Sequence, residues 1–300
     1  MTSETSSIDR VLATKAHNDG LFFTTVDVVR VERPTPRLAR ITFTGDGLRR
    51  FHLPCANVAV RLFFPADGER LDVLEPQSDI PPVAMRLRTR TRTRVYTVRR
   101  FDADALELDL DFVLHGDGLA GGWAEQAEPG WRLLLSGPRG HAVPPADATH
   151  VLAAADETAL PALATVLAAL PGGVTGTAFV SVADLAERQQ LVAPPGMDVQ
   201  WVDRSAGAAL AGAIGTWWSA APDRGERPVA WLAGELFETR AVREWLLDVA
   251  GYPKEAIQSF PYWRRGSDGT TLDEARAAAV VAAVEQQQDP TNVDDLDLVD

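Results

Sequence analysis

Two patterns of hydrophobic and polar positions follow one another along the chain. In the first part, short runs in which apolar and polar residues alternate are separated by turns rich in Gly, Asp and Pro, which is typical of β-strands. Because no long helical pattern interrupts these runs, they indicate a closed six-stranded antiparallel barrel. The six runs are FFTTVDVVRVERP, LARITFTG, ANVAVRLFFP, RVYTVRRF, ALELDLDFVLH and WRLLLSGP.

The pattern changes near residue 148 to strands that alternate with helices. The strand THVLAAA precedes a helical repeat whose first turn contains Pro161, at a position where proline is tolerated. The alternation continues to residue 266 and predicts a parallel sheet with ligands at the carboxyl ends of its strands. We therefore expect one domain at residues 1–147, a second at 148–268, and a C-terminal helix with an acidic tail at 269–300.

The composition excludes several classes of protein. Hydrophobic residues make up 46% of the 300 residues and charged residues 24%, which is typical of a globular chain. We expect a cytoplasmic protein without membrane insertion, because the chain shows neither a signal-peptide pattern nor an apolar run of membrane-spanning length. A single cysteine, Cys55, rules out an internal disulfide, and the spacing of the five histidines does not favour a bound metal ion.

The charge is unevenly distributed. A formal net charge of −13 argues against nucleic acid as a partner, yet six arginines fall within RTRTRTRVYTVRR, residues 88–100. On a strand, Arg88, Arg90, Arg92 and Arg94 share one face. A solvated edge strand, whose like charges discourage pairing with another sheet, accounts for such an alternation. A small anionic ligand, such as a phosphate-bearing cofactor, accounts for it as well.

Two segments have a chemical use for phosphate. Arg94 and Tyr96 share a strand face, and a guanidinium forms forked, charge-assisted hydrogen bonds with phosphate oxygens, while Thr97 offers a backbone N–H and a hydroxyl. In LHGDGLAGGWA, residues 114–124, small residues precede a helix start, where backbone N–H groups face phosphate. An ordinary Gly-rich turn has the same composition, and His115 fits a hydrogen-bonded loop residue equally well.

Several motifs occur together in an order that is known from one family. RVYTVR, the loop from DFVLHGDG to WA, EPG, GPRG, ADETALPAL, WLAGE and YWRRG resemble the siderophore-interacting proteins of the ferredoxin reductase-like superfamily, from Val29 to Gly266. The resemblance implies an N-terminal FAD-binding barrel, an NAD(P)H-binding α/β domain, and the reduction of ferric siderophores with NAD(P)H, which releases iron in the cytoplasm. A flavin suits this reaction, because NADPH gives up two electrons as a hydride and ferric iron accepts one.

The resemblance also implies where the cofactors bind. Tyr96 stacks on the isoalloxazine, Thr97 meets its polar edge, and Arg94 pairs with the diphosphate. Asp156 and Glu157 are suited to accept hydrogen bonds from ribose hydroxyls with Thr158 capping the helix, although plain capping explains them equally well. The predicted cofactor-binding residues are Arg94, Tyr96, Thr97, Val98, Arg99, His115, Gly118, Leu119, Ala120, Gly121, Asp156, Thr158, Ala159, Gly234, Glu235 and Trp263.

Some of these positions depart from the family pattern. The loop between His115 and Trp123 is one residue shorter, Leu119 stands where proline is usual, and Gly121 replaces a serine. Glycine is usual where Ala155 stands. We expect the change at Gly121 to remove a hydroxyl contact with the diphosphate, so that FAD binds more loosely than in relatives.

The arginines near the flavin are candidates for contact with the iron complex. Ferric catecholate and citrate complexes are anionic, and a basic rim attracts them. The predicted substrate-binding residues are Arg61, Arg90 and Arg92. No side chain is assigned as a catalytic acid or base, because stacking, orientation and electrostatics suffice. Arg188 and Arg204 follow strands of the α/β part, where a 2′-phosphate is read, although a solvated surface arginine accounts for either.

Two other functions fit the same residues. One is an FAD-dependent reductase of a biosynthetic pathway with an acceptor other than iron. The other is a siderophore-binding protein that retains the fold without a flavin. Ferredoxin as the electron donor, the identity of the siderophore, and the choice between NADH and NADPH stay open at this point.

Overall fold

The computed structural model describes residues 22–64, 91–115, 118–220 and 228–267, with four single residues at 274, 278, 282 and 286. The helix and acidic tail predicted for 269–300 therefore lie almost entirely outside the described residues, as does Arg90. Among the residues that are described, no helix is both long enough and apolar enough to span a membrane.

The N-terminal part forms the predicted closed antiparallel barrel. Its strands are β1 (Phe22–Thr35), β2 (Leu38–Thr44), β3 (Val58–Phe64), β4 (Arg92–Asp102), β5 (Glu107–Val113) and β6 (Arg132–Gly140). The order around the barrel is β1-β2-β5-β4-β3-β6, and β6 pairs back with β1. Alternation decides the packing, because every second residue of β5 is buried in the barrel core: Leu108, Leu110 and Phe112.

A short helix, α1 (Leu119–Gln126), connects β5 with β6 and covers one end of the barrel. Its Trp123 packs among aromatic rings of the barrel wall, with ring centroids 6.2 Å from Phe43, 5.6 Å from Phe64 and 5.9 Å from Phe112. The helix is therefore anchored by one large side chain, and its N-terminus lies next to the end of β5.

The C-terminal part is a five-stranded parallel sheet with helices, as the alternating pattern predicts. Its elements are β7 (His150–Asp156), α2 (Leu160–Ala169), β8 (Thr175–Val182), β9 (Gly196–Asp203), α3 (Leu210–Ala220), β10 (Pro228–Glu235), α4 (Leu236–Asp248) and β11 (Ile257–Trp263). Every residue of β7 is buried, which is expected of a parallel strand covered on both faces. The strand order is β11-β10-β7-β8-β9, so the connections run in opposite directions from β7. Ligands bind at such a switch point, at the carboxyl ends of the strands.

Two helices differ from the sequence-based expectation. Helix α3 was not predicted, although it buries Leu210, Ile214 and Trp218 against the sheet. The run TRAVREWLLDVAG predicts a helix that begins at residue 239. Helix α4 instead begins at Leu236, because the Glu235 carboxylate accepts a hydrogen bond from the Glu238 N–H at 2.9 Å and caps the helix.

Candidate functional site

The ladder between β4 and β5 covers only half of β4. Pairing extends from Asp102, opposite Glu107, to Val98, opposite Leu110. Beyond that point β5 continues along β2, while residues 92–97 of β4 pair only with β3 among the described strands. We call residues 92–97 the β4 edge. It leaves backbone groups on the side away from β3 that a ligand can pair with.

The β4 edge carries two of the predicted residues on one face. Arg94 lies opposite Leu62 and Tyr96 opposite Val60, both of which point into the barrel. The Tyr96 ring packs on Phe112 with centroids 4.2 Å apart, and burial raises the pKa of its hydroxyl. Arg94 is half-buried, and its Nη1 donates to the Thr93 carbonyl at 2.8 Å. The structure therefore brings Arg94 and Tyr96 together on one face, and Phe112 supports the Tyr96 ring.

Thr97 lies on the other face of β4 and points to the α/β part. Its hydroxyl shares a hydrogen bond with the hydroxyl of Tyr262 in β11, and burial raises the pKa of Tyr262 to about 12. Tyr262 is the extra residue of a β-bulge, because Gly234 lies opposite Pro261 but Glu235 lies opposite Trp263. The bulge thus aims one aromatic residue of β11 at the barrel.

Val98 and Arg99 complete the predicted motif but differ in their surroundings. Val98 packs into the barrel core, so only its backbone is available to a ligand. Arg99 sits at an irregularity of the β4–β5 ladder, with its Nε 4.0 Å from an Asp111 oxygen. Arg40 holds the same carboxylate at 2.7 and 2.8 Å. Two guanidinium groups therefore share the Asp111 carboxylate. Burial and the neighbouring charge of Arg40 lower the pKa of Arg99.

The loop before α1 has the features of an anion-binding helix start. Gly118 is the N-cap residue with extended backbone and no side-chain cap, so the first N–H groups of α1 lack partners within the helix. The His115 ring packs directly on Gly118, where an added Cβ would lie 2.3 Å from His115 Cε1. Leu119 and Ala120 pack against the barrel core. Together they fix the N–H groups of the first turn of α1 against the barrel.

The two glycines of α1 differ in the space around them. A Cβ on Gly121 would lie 3.3 Å from the Val113 carbonyl oxygen, on the side that faces β5. A Cβ on Gly122 would have no described atom within 4 Å. The geometry therefore favours position 122, and not the predicted position 121, as the place where a serine hydroxyl has room.

Asp156 organises the carboxyl end of β7. The side chain is 2% exposed, and burial raises the pKa of its carboxyl. It accepts hydrogen bonds from the Thr158 N–H and hydroxyl at 2.8 and 2.5 Å, and from the Ala159 N–H at 3.3 Å. From the other side, the Glu235 N–H donates at 2.9 Å and the Trp263 Nε1–H at 2.7 Å. We call these residues, with Gly234, the nucleotide crevice.

This arrangement changes two expectations. Five donors saturate the Asp156 carboxylate, so its oxygens are used within the protein rather than offered to a ribose. Thr158 does not cap α2, because the N-cap residue is Ala159 and no side chain accepts a capping bond there. Asp156 instead ties the turn after β7 to β10 and to the Trp263 indole.

Gly234 is required at the centre of the crevice. Its φ is +135°, and a Cβ would lie 2.7 Å from the Asp156 carboxyl carbon. The next residue, Glu235, is also used internally, since its Oε1 accepts from the Arg265 N–H at 2.9 Å and its Oε2 caps α4. Tyr262 and Trp263 remain 37% exposed and form an aromatic surface beside these buried carboxylates.

Three contacts were not predicted from the sequence. The Arg204 guanidinium forms a bidentate ion pair with Glu157, which raises the pKa of Arg204. Glu187 joins the two parts of the protein, since its carboxylate accepts from the Thr35 hydroxyl at 2.5 Å and from the Arg37 N–H at 3.0 Å. The Arg37 carbonyl in turn accepts from the Leu114 N–H at 2.8 Å, next to the α1 loop. The sequence indicated Glu157 after β7 and Arg204 after β9 as candidates, but it did not indicate that they pair with each other.

Two of the predicted substrate-binding arginines, Arg61 and Arg92, do not lie together. Arg61 is opposite Val95, and its Nη1 donates to the Thr93 hydroxyl at 2.9 Å. Arg92 is opposite Phe64, on the face that carries Arg94, and it is exposed. The register therefore separates Arg61 and Arg92 onto opposite faces, so they do not form one rim. No group of three or more metal-ligating side chains occurs among the residues that the structure describes.

The fold defines the class of protein first. A closed six-stranded antiparallel barrel followed by a five-stranded parallel sheet with helices is the ferredoxin reductase-like fold. The chain belongs to the siderophore-interacting protein family. Residues 27–142 match the siderophore-interacting FAD-binding domain, and residues 148–266 match the siderophore-interacting protein domain.

Three similar proteins place the chain within this family. Ferric vibriobactin reductase ViuB of Vibrio cholerae is 32% identical over 84% of this chain and 93% of its own. The NADPH-dependent ferric-chelate reductase of Escherichia coli is 33% identical over 63% of this chain and 74% of its own. The crystal structure of a siderophore utilization protein from T. fusca superimposes with a TM-score of 0.71 at 34% identity, covering 83% of this chain and 95% of that one.

Proposed function

We propose that the protein is an FAD-dependent reductase that uses NAD(P)H to reduce ferric iron held by a siderophore. The names of the two reductases above support the reaction, and the FAD-binding domain supports the cofactor. The observation that carries the proposal is the hydrogen bond between Thr97 and Tyr262. It brings the β4 edge next to the nucleotide crevice, so a flavin bound along this edge would lie close to a nicotinamide bound in the crevice.

The residues of the β4 edge fit FAD. Arg94 would pair with the diphosphate, and Tyr96, held against Phe112, would present a fixed ring face to the isoalloxazine. Thr97 would meet the polar edge of the flavin through its backbone. When bound, FAD accepts an electron pair as a hydride and passes electrons on singly, which matches a two-electron donor to ferric iron. The N–H groups at the start of α1 would hold the remaining diphosphate oxygens.

The nucleotide crevice fits a nicotinamide. Gly234 lacks a Cβ at the place where the Asp156 carboxyl group lies, so the backbone at the carboxyl end of β10 can approach that carboxylate closely. Asp156 fixes the Trp263 indole through its Nε1–H, so the aromatic surface keeps one orientation. The crevice residues therefore act by shape and position. None of them needs to transfer a proton, because a hydride moves without one.

An anionic ferric siderophore is the substrate that we propose. Arg92 lies on the Tyr96 face of β4 and is exposed, so it is placed to attract such a complex toward the flavin. Arg61 lies on the opposite face, where its guanidinium donates to the Thr93 hydroxyl. We infer that Arg92 contributes more to attraction than Arg61, and we place the reaction in the cytoplasm, where pyridine nucleotides are available.

The test is anaerobic stopped-flow reoxidation of the reduced protein. We expect an anionic ferric chelate to reoxidise the flavin at a rate that falls as salt is added, because screening shortens the reach of the field to about 8 Å at physiological ionic strength. Arg92→Gln should lower this rate and flatten its salt dependence, while Arg61→Gln serves as the comparison from the opposite face. Reduction by NADH, NADPH and reduced ferredoxin is measured in the same apparatus, which identifies the donor.

Three results would contradict the proposal in different ways. Protein purified without flavin absorbance, and unable to bind added FAD, would indicate a binding protein that retains only the fold. Competent reduction by NAD(P)H without reoxidation by any ferric chelate would favour a biosynthetic reductase with another acceptor. Equal rates for anionic and neutral chelates at every salt concentration would remove only the role of Arg92.

A further inference from the structure

The direction of a bound dinucleotide follows from the sheet. Its nicotinamide must face the barrel, and Tyr262 places the crevice between β7 and β10 next to Thr97. The adenosine half would therefore extend along the carboxyl edge toward β8 and β9, which lie on the other side of β7. The side chains at the ends of β7, β8 and β9 are the ones that would meet the adenosine ribose.

One arginine at these strand ends contacts two other side chains. Arg204, directly after β9, donates from Nη1 to a Glu157 oxygen at 2.7 Å and to the Ser181 hydroxyl at 3.2 Å. Its Nη2 donates to the second Glu157 oxygen. The side chains of Arg204 and Glu157 are 28% and 15% exposed, so the pair lies at the surface of the edge and not in the core. A ligand on this edge would meet both charges at once.

These two residue types have opposite uses in dinucleotide sites. An acidic side chain after a strand accepts the ribose hydroxyls of NAD, whereas an arginine accommodates the 2′-phosphate of NADP. In this chain both are present and bound to each other, so their charges cancel at the distance of a ligand. We propose that Glu157 neutralises Arg204 and thereby removes the preference for a 2′-phosphate, which makes this pair the determinant of nucleotide choice.

The inference rests on the proposed function, because it requires a pyridine nucleotide in the crevice. The wild-type protein should then bind nucleotides with and without the 2′-phosphate about equally well. Arg204 provides a preference for the 2′-phosphate that Glu157 masks. Removing the Glu157 charge while keeping Arg204 should reveal this preference.

The experiment measures the dissociation constants of 5′-AMP and 2′,5′-ADP for the FAD-loaded protein by calorimetry. For the wild type we expect the two constants to agree within about threefold. Glu157→Gln should tighten 2′,5′-ADP by about tenfold or more, a change of about 1.4 kcal/mol, and leave 5′-AMP nearly unchanged. Glu157→Ala removes the same charge and provides a second measurement if the first variant folds poorly.

Two control variants separate the pair from the general field. The double variant Glu157→Gln with Arg204→Gln should return the ratio of the two constants to the wild-type value, because the unmasked charge is gone. Glu244→Gln removes one negative charge from the exposed side of α4 and should leave the ratio unchanged. An equal gain in this variant would mean that net charge, and not the pair, is responsible.

Two outcomes would overturn the inference. One is a wild-type preference of more than tenfold for either nucleotide. The other is a ratio that does not change when the Glu157 charge is removed. Both can occur while ferric chelates still reoxidise the reduced flavin, which would leave the proposed function standing. Loss of chelate reoxidation with a tenfold shift in the ratio would contradict the function and support the pair.

Discussion

Glu187 offers the sharpest test of how the two parts of the protein are joined. Its side chain is 4% exposed, and its carboxylate holds the turn between β1 and β2 through Thr35 and Arg37. The same turn holds Leu114, which leads into the α1 loop. Replacing Glu187 by alanine removes both acceptors at once. We therefore expect a loss of stability and, through the loop, a loss of FAD affinity.

The size of the loss follows from the contacts. A hydrogen bond to a charged group contributes about 1.5–3 kcal/mol, so two such bonds give roughly 3–6 kcal/mol before water enters the space that the side chain leaves. Taking the lower end, and about 2–4 °C per kcal/mol for a chain of this size, Tm should fall by roughly 6–12 °C. Glu187→Gln keeps one acceptor but places an amide N–H₂ beside a donor, so it should lose about half as much.

The assay combines thermal unfolding with FAD titration by flavin fluorescence. Thr165→Val is the matched comparison, because the Thr165 hydroxyl accepts the Asn57 N–H at 3.0 Å and also joins the two parts, but with a neutral partner and away from the α1 loop. It should cost about 1 kcal/mol and leave FAD affinity unchanged. A cost of less than about 1 kcal/mol for Glu187→Ala, or an equal weakening of FAD binding by both variants, would show that Glu187 does not hold the β1–β2 turn and the α1 loop in this way.

Four further predictions test the remaining parts of the site. Arg94→Ala should weaken FAD by about ten- to a hundredfold in equilibrium titration, since it removes a charge-assisted contact with the diphosphate; an unchanged affinity would place that role elsewhere. Gly122→Ser should tighten FAD several-fold in the same titration while Gly121→Ser destabilises the protein, and the reverse order would reassign the missing hydroxyl. Gly234→Ala should weaken nucleotide binding in calorimetry and leave FAD bound, because its Cβ meets the Asp156 carboxyl group. Burial raises the pKa of the Asp156 carboxyl above 3.8 in the folded protein, so ionisation of this group costs stability as the pH rises through that pKa. The Tm of Asp156→Asn relative to that of the wild type should therefore increase from pH 4 to pH 7, and a Tm difference that stays constant over this range would contradict the raised pKa.

Local patterns were sufficient to predict the architecture. The six strands of the barrel and the alternation of strands and helices after residue 148 follow from periodicity, and the structure confirms both. Helix α3 was missed because Gly212 and Gly215 lower its helix propensity and two adjacent tryptophans obscure its apolar face. The start of α4 was placed three residues late because Glu235 was interpreted as a ligand-facing residue and not as a cap.

Contacts between distant segments were not predictable in this way. Arg94 and Tyr96 could be paired from alternation alone, because both lie on one strand. The pairing of Glu187 with the β1–β2 turn joins residues about 150 positions apart, and no local pattern indicates it. The saturation of Asp156 has the same origin, since two of its donors come from β10 and β11. A sequence shows which side chains are able to bind, but their partners depend on the fold.

The run of arginines in β4 has a physical explanation in its neighbour β5. Where the two strands pair, Arg100 meets Asp109 at 2.7 Å and Arg99 lies beside Asp111, so carboxylates of β5 balance the positive charge. Pairing with β5 ends at Val98, and from there Arg94 and Arg92 lie opposite apolar residues of β3 instead. The charge that stabilises the barrel in one half of the strand is therefore directed at a ligand in the other half. The point where the ladder opens is also the point where the arginines change from structural partners of acidic residues to candidates for binding phosphate and an anionic iron complex.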